Sequence, residues 1–384
     1  MRYAIVTETY PPEVNGVALT VQELERGLRA RGHEVDVVRP RKHRGERPND
    51  GEMLAAGIRL PFYAGLRFGL PAAGRLRRRW RRQRPDAVYI ATEGPLGWSA
   101  MRAAKALGIP VASGFHTRFD HYMRDYGLPF MEPVALAWMR RFHNAASATL
   151  VPTRELQAEL EGLGFGAVVH LPRAVDTARF DPAHRDEALR ARWGLAPGAL
   201  AVTYVGRVAA EKNLDLAIRA FRALQELRPD ARFVWVGEGP ELAAIRDANP
   251  DFVYCGLQRG EALARHFASA DLFLFPSLSE TFGNVTIEAM ASGVATVAYR
   301  YGAAAEHLRH GQHGAAIAPH DEAAFIDAAC RLSLEDRSRR GMGANARASV
   351  LPLRPAQVAA DFDAILKGIA AHRRSHADVH AALA

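Results

Sequence analysis

One feature of this chain constrains its fold more than any other: short apolar runs alternate with helical stretches, and the alternation occurs twice. In the first half the runs Tyr3–Thr7, Glu34–Arg39, Ala87–Ala91, Val111–Phe115, Thr149–Pro152 and Val168–Leu171 read as strands. Helical patterns lie near Val17–Arg31, Leu96–Leu107 and Pro129–Ala145. Short all-apolar strands separated by helices predict a parallel sheet covered on both faces. The pattern restarts with strands at Ala201–Val205, Phe233–Val236, Phe252–Cys255, Leu272–Phe275 and Thr296–Ala298. Helical runs near Leu214–Leu227, Leu242–Asp247, Glu261–Ser269, Val285–Ala291 and Glu322–Leu332 separate them.

Two such arrays predict an α/β chain of two Rossmann-like, doubly wound parallel-sheet domains. The expected limits are 1–175 and 199–350, joined by a polar connector, 176–198, that carries Pro182 and Pro197. The stretch 351–384 is expected to return to the first domain as a helix, with His372–Ala384 frayed. A chain of 384 residues is too long for a single core and long enough for two.

Cys255 and Cys330 have no CxxC or Cys/His spacing around them, so neither a disulfide framework nor a zinc site is expected. A reducing, cytoplasmic compartment fits. The N-terminal run MRYAIVTETY lacks the long apolar core of a signal peptide, and no apolar run approaches the ~20 residues that span a bilayer.

The net charge of +8 lies entirely in residues 1–172, which hold 25 Lys/Arg against 17 Asp/Glu. Seven of the ten residues from Arg75 to Arg84 are arginine, a patch suited to anionic lipid, acidic glycan or nucleic acid. If the run is helical, Leu76 and Trp80 would anchor it to the inner face of an anionic membrane; a plain solvated helix face reads equally. No aromatic beyond Trp80 interleaves it, so specific nucleic-acid binding is not expected.

Open α/β sheets bind ligands at the carboxyl ends of their strands. After the first strand, Asn15–Gly16–Val17 opens a helix whose amides can approach an anion; a plain capping turn reads equally from one glycine. His116 follows the strand Val111–Phe115, and a contact to a sugar hydroxyl or phosphate competes there with a structural role. Gly206–Arg207 and Lys212 follow Ala201–Val205 and could converge on a diphosphate without a metal. After Leu272–Phe275, an apolar loop ends in Glu280, with Thr281, Phe282, Gly283 and Asn284 offering backbone amides to a phosphate or sugar. Glu288 follows a turn into the next helix, where a carboxylate can accept two ribose hydroxyls. These residues describe a clamp for a nucleotide diphosphate.

The segments ETYPPEVNGV, GFHTRFDHY, VGRVAAEKN and SETFGNVTIEAMASGVATVAY resemble the retaining glycosyltransferases of family four, of GT-B fold, over nearly the whole chain. The first two are similar to the branch holding GDP-mannose-dependent α-mannosyltransferases and sulfoquinovosyl-diacylglycerol synthases. The resemblance implies a hexosyltransferase whose two domains face a cleft, the first on the acceptor side and the second binding the donor. It implies that Gly16 faces the donor diphosphate, His116 meets the transferring sugar, and Gly206, Arg207 and Lys212 hold the diphosphate. Glu280 and the amides of Thr281–Asn284 would meet the sugar, and Glu288 the ribose. Attack would come from the front face within an ion pair. That agrees with the lack of an Asp/Glu pair set as nucleophile and acid. The nucleotide sugar is then substrate rather than cofactor, no metal is needed, and the acceptor is a lipid or glycan. GDP-mannose is the leading donor; a UDP-sugar carrying glucose or sulfoquinovose is the alternative. A nucleotide-sugar 2-epimerase shares the architecture but not the Glu280/Glu288 motif.

The family's Arg-Gly-Val-Asp stands here as Arg173–Ala174–Val175–Asp176, and its Gly-Gly pair as Gly302–Ala303, each adding a methyl where close approach is usual. Asp361–Phe362–Asp363 spells the metal motif of other glycosyltransferases but sits on a helical pattern and is expected at the surface. Gly237–Glu238–Gly239 is too short for a dinucleotide fingerprint.

Overall fold

A computed structural model describes residues 1–13, 15–59, 67–116, 130 and 132–382. Val14, Leu66, Thr117–Tyr122 of the GFHTRFDHY segment, Pro129, Leu383 and Ala384 fall outside those residues. The chain forms two compact units, one of residues 1–173 with 355–384 and one of residues 174–354.

The first unit is built on β1 (Arg2–Val6), β2 (Glu34–Pro40), β3 (Glu52–Ala55), the antiparallel pair β4 (Gly57–Arg59) and β5 (Arg67–Gly69), β6 (Ala87–Ile90), β7 (Val111–Gly114), β8 (Ala148–Val151) and β9 (Val168–His170). Its main sheet runs β3-β2-β1-β6-β7-β8-β9, all parallel. Tyr3 pairs with Val35 on one side and Ala87 on the other. The chain leaves β1 leftward to β2 and returns rightward to β6, so the order reverses between β1 and β6 and opens a crevice at their carboxyl ends. The four residues of β6 are all buried, as strands covered on both faces must be.

The second unit holds β10 (Ala201–Val205), β11 (Arg232–Val236), β12 (Val253–Tyr254), β13 (Leu272–Phe275), β14 (Ala295–Tyr299) and β15 (Gly314–Ile317). Their order, β12-β11-β10-β13-β14-β15, is again parallel, and it reverses between β10 and β13. Phe221 stacks on Phe233 at 4.7 Å and Trp235 packs beside them, which fixes the helix Leu214–Leu227 on this sheet.

Several expectations change. The stretch read as a connector packs into the second unit: Phe180, Leu189 and Trp193 are buried, and buried Arg190 donates to the Ser269 carbonyl (2.6 Å), the Ala199 carbonyl (2.6 Å) and Asp271 (2.9 Å). The arginine run does form a helix, Ala73–Arg82, but Leu76 and Trp80 are fully buried in the core of the first unit and cannot anchor a membrane. Arg79 forks onto Asp36 at 2.6 and 2.5 Å, which leaves Arg77, Arg78, Arg81 and Arg82 exposed. The C-terminal helix runs from Pro355 through Ala382, past the point where fraying was expected.

Asp363 of that helix is not at the surface. It is 1% exposed in its side chain and meets the Tyr3 hydroxyl (2.9 Å), Arg31 (3.0 Å), His33 (2.9 Å) and Lys367 (2.8 Å). These donors hold its carboxyl far below the usual range against the opposing effect of burial. A carboxylate so engaged is not available to a metal, and among the described residues no three His, Cys, Asp or Glu gather as metal ligands. No helix among them is long and apolar enough to cross a membrane.

Candidate active site

The crevice of the second unit is flanked by the loops that leave β10 and β13. Gly206 begins the first at φ +153° and Gly237 begins its neighbour at φ +146°, backbone that favours glycine. The two loops extend the sheet beyond its strands: Gly206 N donates to the Val236 carbonyl (3.0 Å) and Val208 N to the Glu238 carbonyl (2.9 Å). A Cβ on Gly237 would lie 1.9 Å from the Gly206 carbonyl, and one on Gly239 2.1 Å from the Val208 carbonyl. Gly237 and Gly239 therefore serve as backbone contacts that place Arg207.

Lys212 ends a short 3₁₀ turn and is largely buried. Its ammonium donates to Glu280 at 2.6 Å and to Ser279 at 3.1 Å, and Ser277 donates to the same Glu280 oxygen at 3.0 Å. Arg207 turns instead to Glu211 at 3.4 Å and keeps half its side chain exposed. The structure thus joins Lys212 to Glu280 and leaves Arg207 beside them on the same loop. Buried Tyr204 donates to the Arg207 carbonyl at 2.9 Å; burial first, then Glu280 and Glu211, push its hydroxyl pKa well up.

After Glu280 and Thr281 the chain turns at buried Phe282 and at Gly283, φ +89°. Gly283 caps the helix Asn284–Ala291 with its carbonyl, which accepts from Thr286 N at 3.0 Å, and no side chain caps the first turn. Glu288 is half-buried in the second turn of that helix. Gly302 backs the loop: a Cβ there would lie 2.5 Å from the Phe282 carbonyl, to which Ala303 N donates at 2.6 Å. The Ala303 methyl is buried in the core, so the departure from the Gly-Gly pair adds packing rather than a group facing the loop.

Gly16 and His116 belong to the first unit. Asn15 caps the helix Gly16–Ala30 by accepting from Ala18 N at 2.9 Å, and Gly16 is exposed. His116 follows β7 and both its ring nitrogens are engaged: Nε2 meets the Tyr89 hydroxyl at 2.7 Å and Nδ1 accepts from Arg173. Burial, then Arg173 and His143, hold its pKa well below the usual imidazole range, so the ring is neutral. Glu8, two residues beyond β1, is buried and accepts from Leu96 N at 2.9 Å, doing for the helix Pro95–Leu107 what its cap residue Gly94 cannot. A Cβ on Gly94 would strike that carboxylate at 2.2 Å. Burial raises the Glu8 pKa to about 8, with Glu93 adding to the shift and the backbone amides opposing it.

A model described as Glycosyltransferase Family 4 matches residues 14–179, and one described as Glycosyl transferases group 1 matches residues 199–335. A GDP-mannose-dependent alpha-mannosyltransferase of Mycobacterium tuberculosis is 35% identical over 308 residues, 78% of this chain and 79% of the relative.

The chain is a family 4 glycosyltransferase.

A sulfoquinovosyl transferase of Arabidopsis thaliana is 30% identical over 82% of the chain and 62% of that relative. A sucrose-phosphate synthase from Thermosynechococcus elongatus shares the glycosyltransferase's fold, with a TM-score of 0.78 over 97% of this chain and 99% of that one at 17% identity. Sequence reasoning about the glycosyltransferase passed over Tyr89, Glu8 and Ser277, and met Arg173 only as the neighbour of Ala174. No local motif marks Tyr89, 27 positions from His116; Arg173 opens the Arg173–Asp176 motif, but nothing in that motif points to His116, 57 positions away.

Proposed function

We propose that this glycosyltransferase moves mannose from GDP-mannose onto a lipid or glycan acceptor, with retention at the anomeric carbon and without a metal. The mannosyltransferase relative, matched over about four-fifths of both chains, carries the reading. In the proposed complex Gly206, Arg207 and Lys212 hold the diphosphate, with Gly16 as a further donor-binding residue. Glu280 and the amides of Thr281–Asn284 meet the sugar, Glu288 accepts the ribose hydroxyls, and His116 lies against the transferring hexose. Lys212 already bridges toward Glu280, so one ammonium would be shared between the diphosphate and the carboxylate beside the sugar. Positive charge so placed stabilises the leaving diphosphate.

The test is a thermal-shift panel of GDP-, UDP- and ADP-sugars. A donor present at 100 times its dissociation constant adds roughly 2.7 kcal/mol. Stabilisation by GDP-mannose, an α-linked product by NMR, and activity that survives EDTA are expected. A shift confined to UDP-sugars would favour the second reading, a glucosyl or sulfoquinovosyl donor, which the Arabidopsis relative supports. The acceptor side is proposed to meet an anionic membrane through Arg77, Arg78, Arg81 and Arg82. The helix Glu132–His143, packed through Trp138 on Trp98 of the helix Pro95–Leu107 at 5.3 Å, adds exposed Val134, Trp138, Arg140 and Arg141.

A further inference from the structure

His116 is held by two residues distant in sequence, Arg173 and Tyr89. Arg173 donates to Nδ1, and a guanidinium can only donate. Nδ1 therefore carries no proton, and the neutral ring has its hydrogen on Nε2. Nε2–H then donates to the Tyr89 hydroxyl, 2.7 Å away. Gly114 makes this bond possible, because a Cβ there would lie 2.2 Å from the Tyr89 hydroxyl and 2.5 Å from Nε2. The Tyr89 ring is itself fixed edge-on to buried Phe362 at 4.9 Å. Strand β6 supplies Tyr89, strand β7 ends in Gly114, and the segment after β9 brings Arg173.

We propose that Arg173 is a positioning residue for sugar transfer, acting through His116, whose ring it locks in one orientation and in the Nε2–H tautomer. The proposal rests on the reading that His116 lies against the transferring sugar. With Nδ1 occupied and Nε2 a donor, His116 has no free lone pair and cannot take a proton from an acceptor hydroxyl. It presents the sugar with a fixed, uncharged ring edge, its one N–H already given to Tyr89. Without Arg173, Nδ1 loses its donor and the ring is free to exchange tautomers or gain a proton.

The experiment reads the tautomer directly. Histidine ring nitrogens are labelled with ¹⁵N in the full chain, and the His116 signals are identified by their loss in His116→Gln. Wild type is expected to show a protonated Nε2 and an unprotonated Nδ1 at neutral pH. Arg173→Met is expected to show protonated Nδ1, with kcat down on the order of a hundredfold and donor KM little changed, as a displaced group beside the reacting atoms would cause. Arg173→Lys, which keeps a donor and the charge, should retain more of kcat than the Met variant. Tyr89→Phe removes the acceptor but not the lock, so its Nδ1 should stay unprotonated; this variant decides the matter even where Arg173→Met does not fold. The proposal is overturned by protonated Nδ1 in wild type or Tyr89→Phe, or by an unchanged tautomer or full kcat in Arg173→Met. Full kcat in His116→Gln would sink the reading of His116 and the proposal with it. An inactive His116→Gln beside an unaffected Arg173→Met would sink the proposal alone.

Discussion

The Lys212 ammonium and the Glu280 carboxylate stand 2.6 Å apart, joined by the hydroxyls of Ser277 and Ser279. Each comes from a loop that leaves its strand at the point where the second sheet reverses order. The pair couples the group proposed to hold the diphosphate to the group proposed to meet the sugar. Glu280→Gln should therefore keep the loop folded and lower transfer by about 10²–10³, the cost of one preorganised polar contact in a transition state. Glu280→Ala should lower it at least as far while releasing Lys212, so affinity for free nucleoside diphosphate should hold or rise. Initial rates, diphosphate titration and circular dichroism measure these outcomes. Near-normal turnover in both variants would remove Glu280 from the site.

Lys212→Ala and Arg207→Ala should both weaken donor and diphosphate binding, each by about 1.5–3 kcal/mol for a lost charge-assisted bond. Their effects on stability should differ. Arg207 is half exposed, and its 3.4 Å contact with Glu211 adds little. Lys212 is largely buried, and removing it strands Glu280. Thermal unfolding should therefore move for Lys212→Ala and stay near wild type for Arg207→Ala. Unchanged diphosphate affinity in both variants would refute the assignment.

The sheets were legible in the sequence because strands buried on both faces leave apolar runs that need no partner to be recognised. β10 (Ala201–Val205) and β13 (Leu272–Phe275) fall where the runs predict. β3, Glu52–Ala55, was missed because only three of its four residues are buried apolar groups. β15 carries Gly-Ala-Ala-Ile, too small to show as a strand. The donor-side loops were legible through position, since a charge just after an apolar strand lies at a sheet edge. Arg173, Tyr89 and Asp363 were not. Their roles arise from contacts across 57, 27 and 360 positions, and nothing local separates Asp363 from a surface helix residue.

Glu8 gives the first unit a pH dependence of defined sign. Its folded pKa is raised from 4.5 to about 8, so the unfolded chain releases this proton first as pH rises. Stability from this group is full below about pH 4.5 and is lost as pH rises toward about 8, at up to about 1.4 kcal/mol per pH unit. Glu8→Gln keeps an acceptor for Leu96 N and should remove that slope. Urea unfolding at a series of pH values measures it; an identical slope in the variant would show that the carboxyl ionises freely in the folded chain.

Asp363 works in the opposite direction. Its folded pKa is depressed, so its contribution is present above the ordinary carboxylate range and is lost only as pH falls below it. Asp363→Ala leaves Arg31 and Lys367 without their acceptor and removes the tie from Tyr3 to the C-terminal helix. Breaking a buried pair of this kind costs about 3–5 kcal/mol. The expected result is earlier melting and faster amide exchange in Pro355–Ala370, with the helices of the second unit unchanged.

Burial decides the kind of membrane contact the arginine helix can make. Leu76 and Trp80 face the core, so the helix Ala73–Arg82 can offer a membrane only its guanidinium groups. Arg79 is committed to Asp36 and Arg75 donates to the Leu54 carbonyl at 3.1 Å, which leaves Arg77, Arg78, Arg81 and Arg82. Each basic group near an anionic surface contributes about 1 kcal/mol, and that attraction is screened by salt. The protein is expected to co-sediment with phosphatidylglycerol vesicles, not with neutral ones, and to be released by raised salt. Replacing the four arginines by Gln should abolish binding and leave donor affinity unchanged. Trp138→Ala should weaken whatever binding survives salt, because Trp138 is an exposed aromatic on the helix Glu132–His143. Fluorescence of a variant whose only tryptophan is Trp80 should not shift on adding vesicles. A shift there would mean that the helix turns its core face outward at the membrane, and equal binding by wild type and the Gln variant would leave the patch without a membrane role.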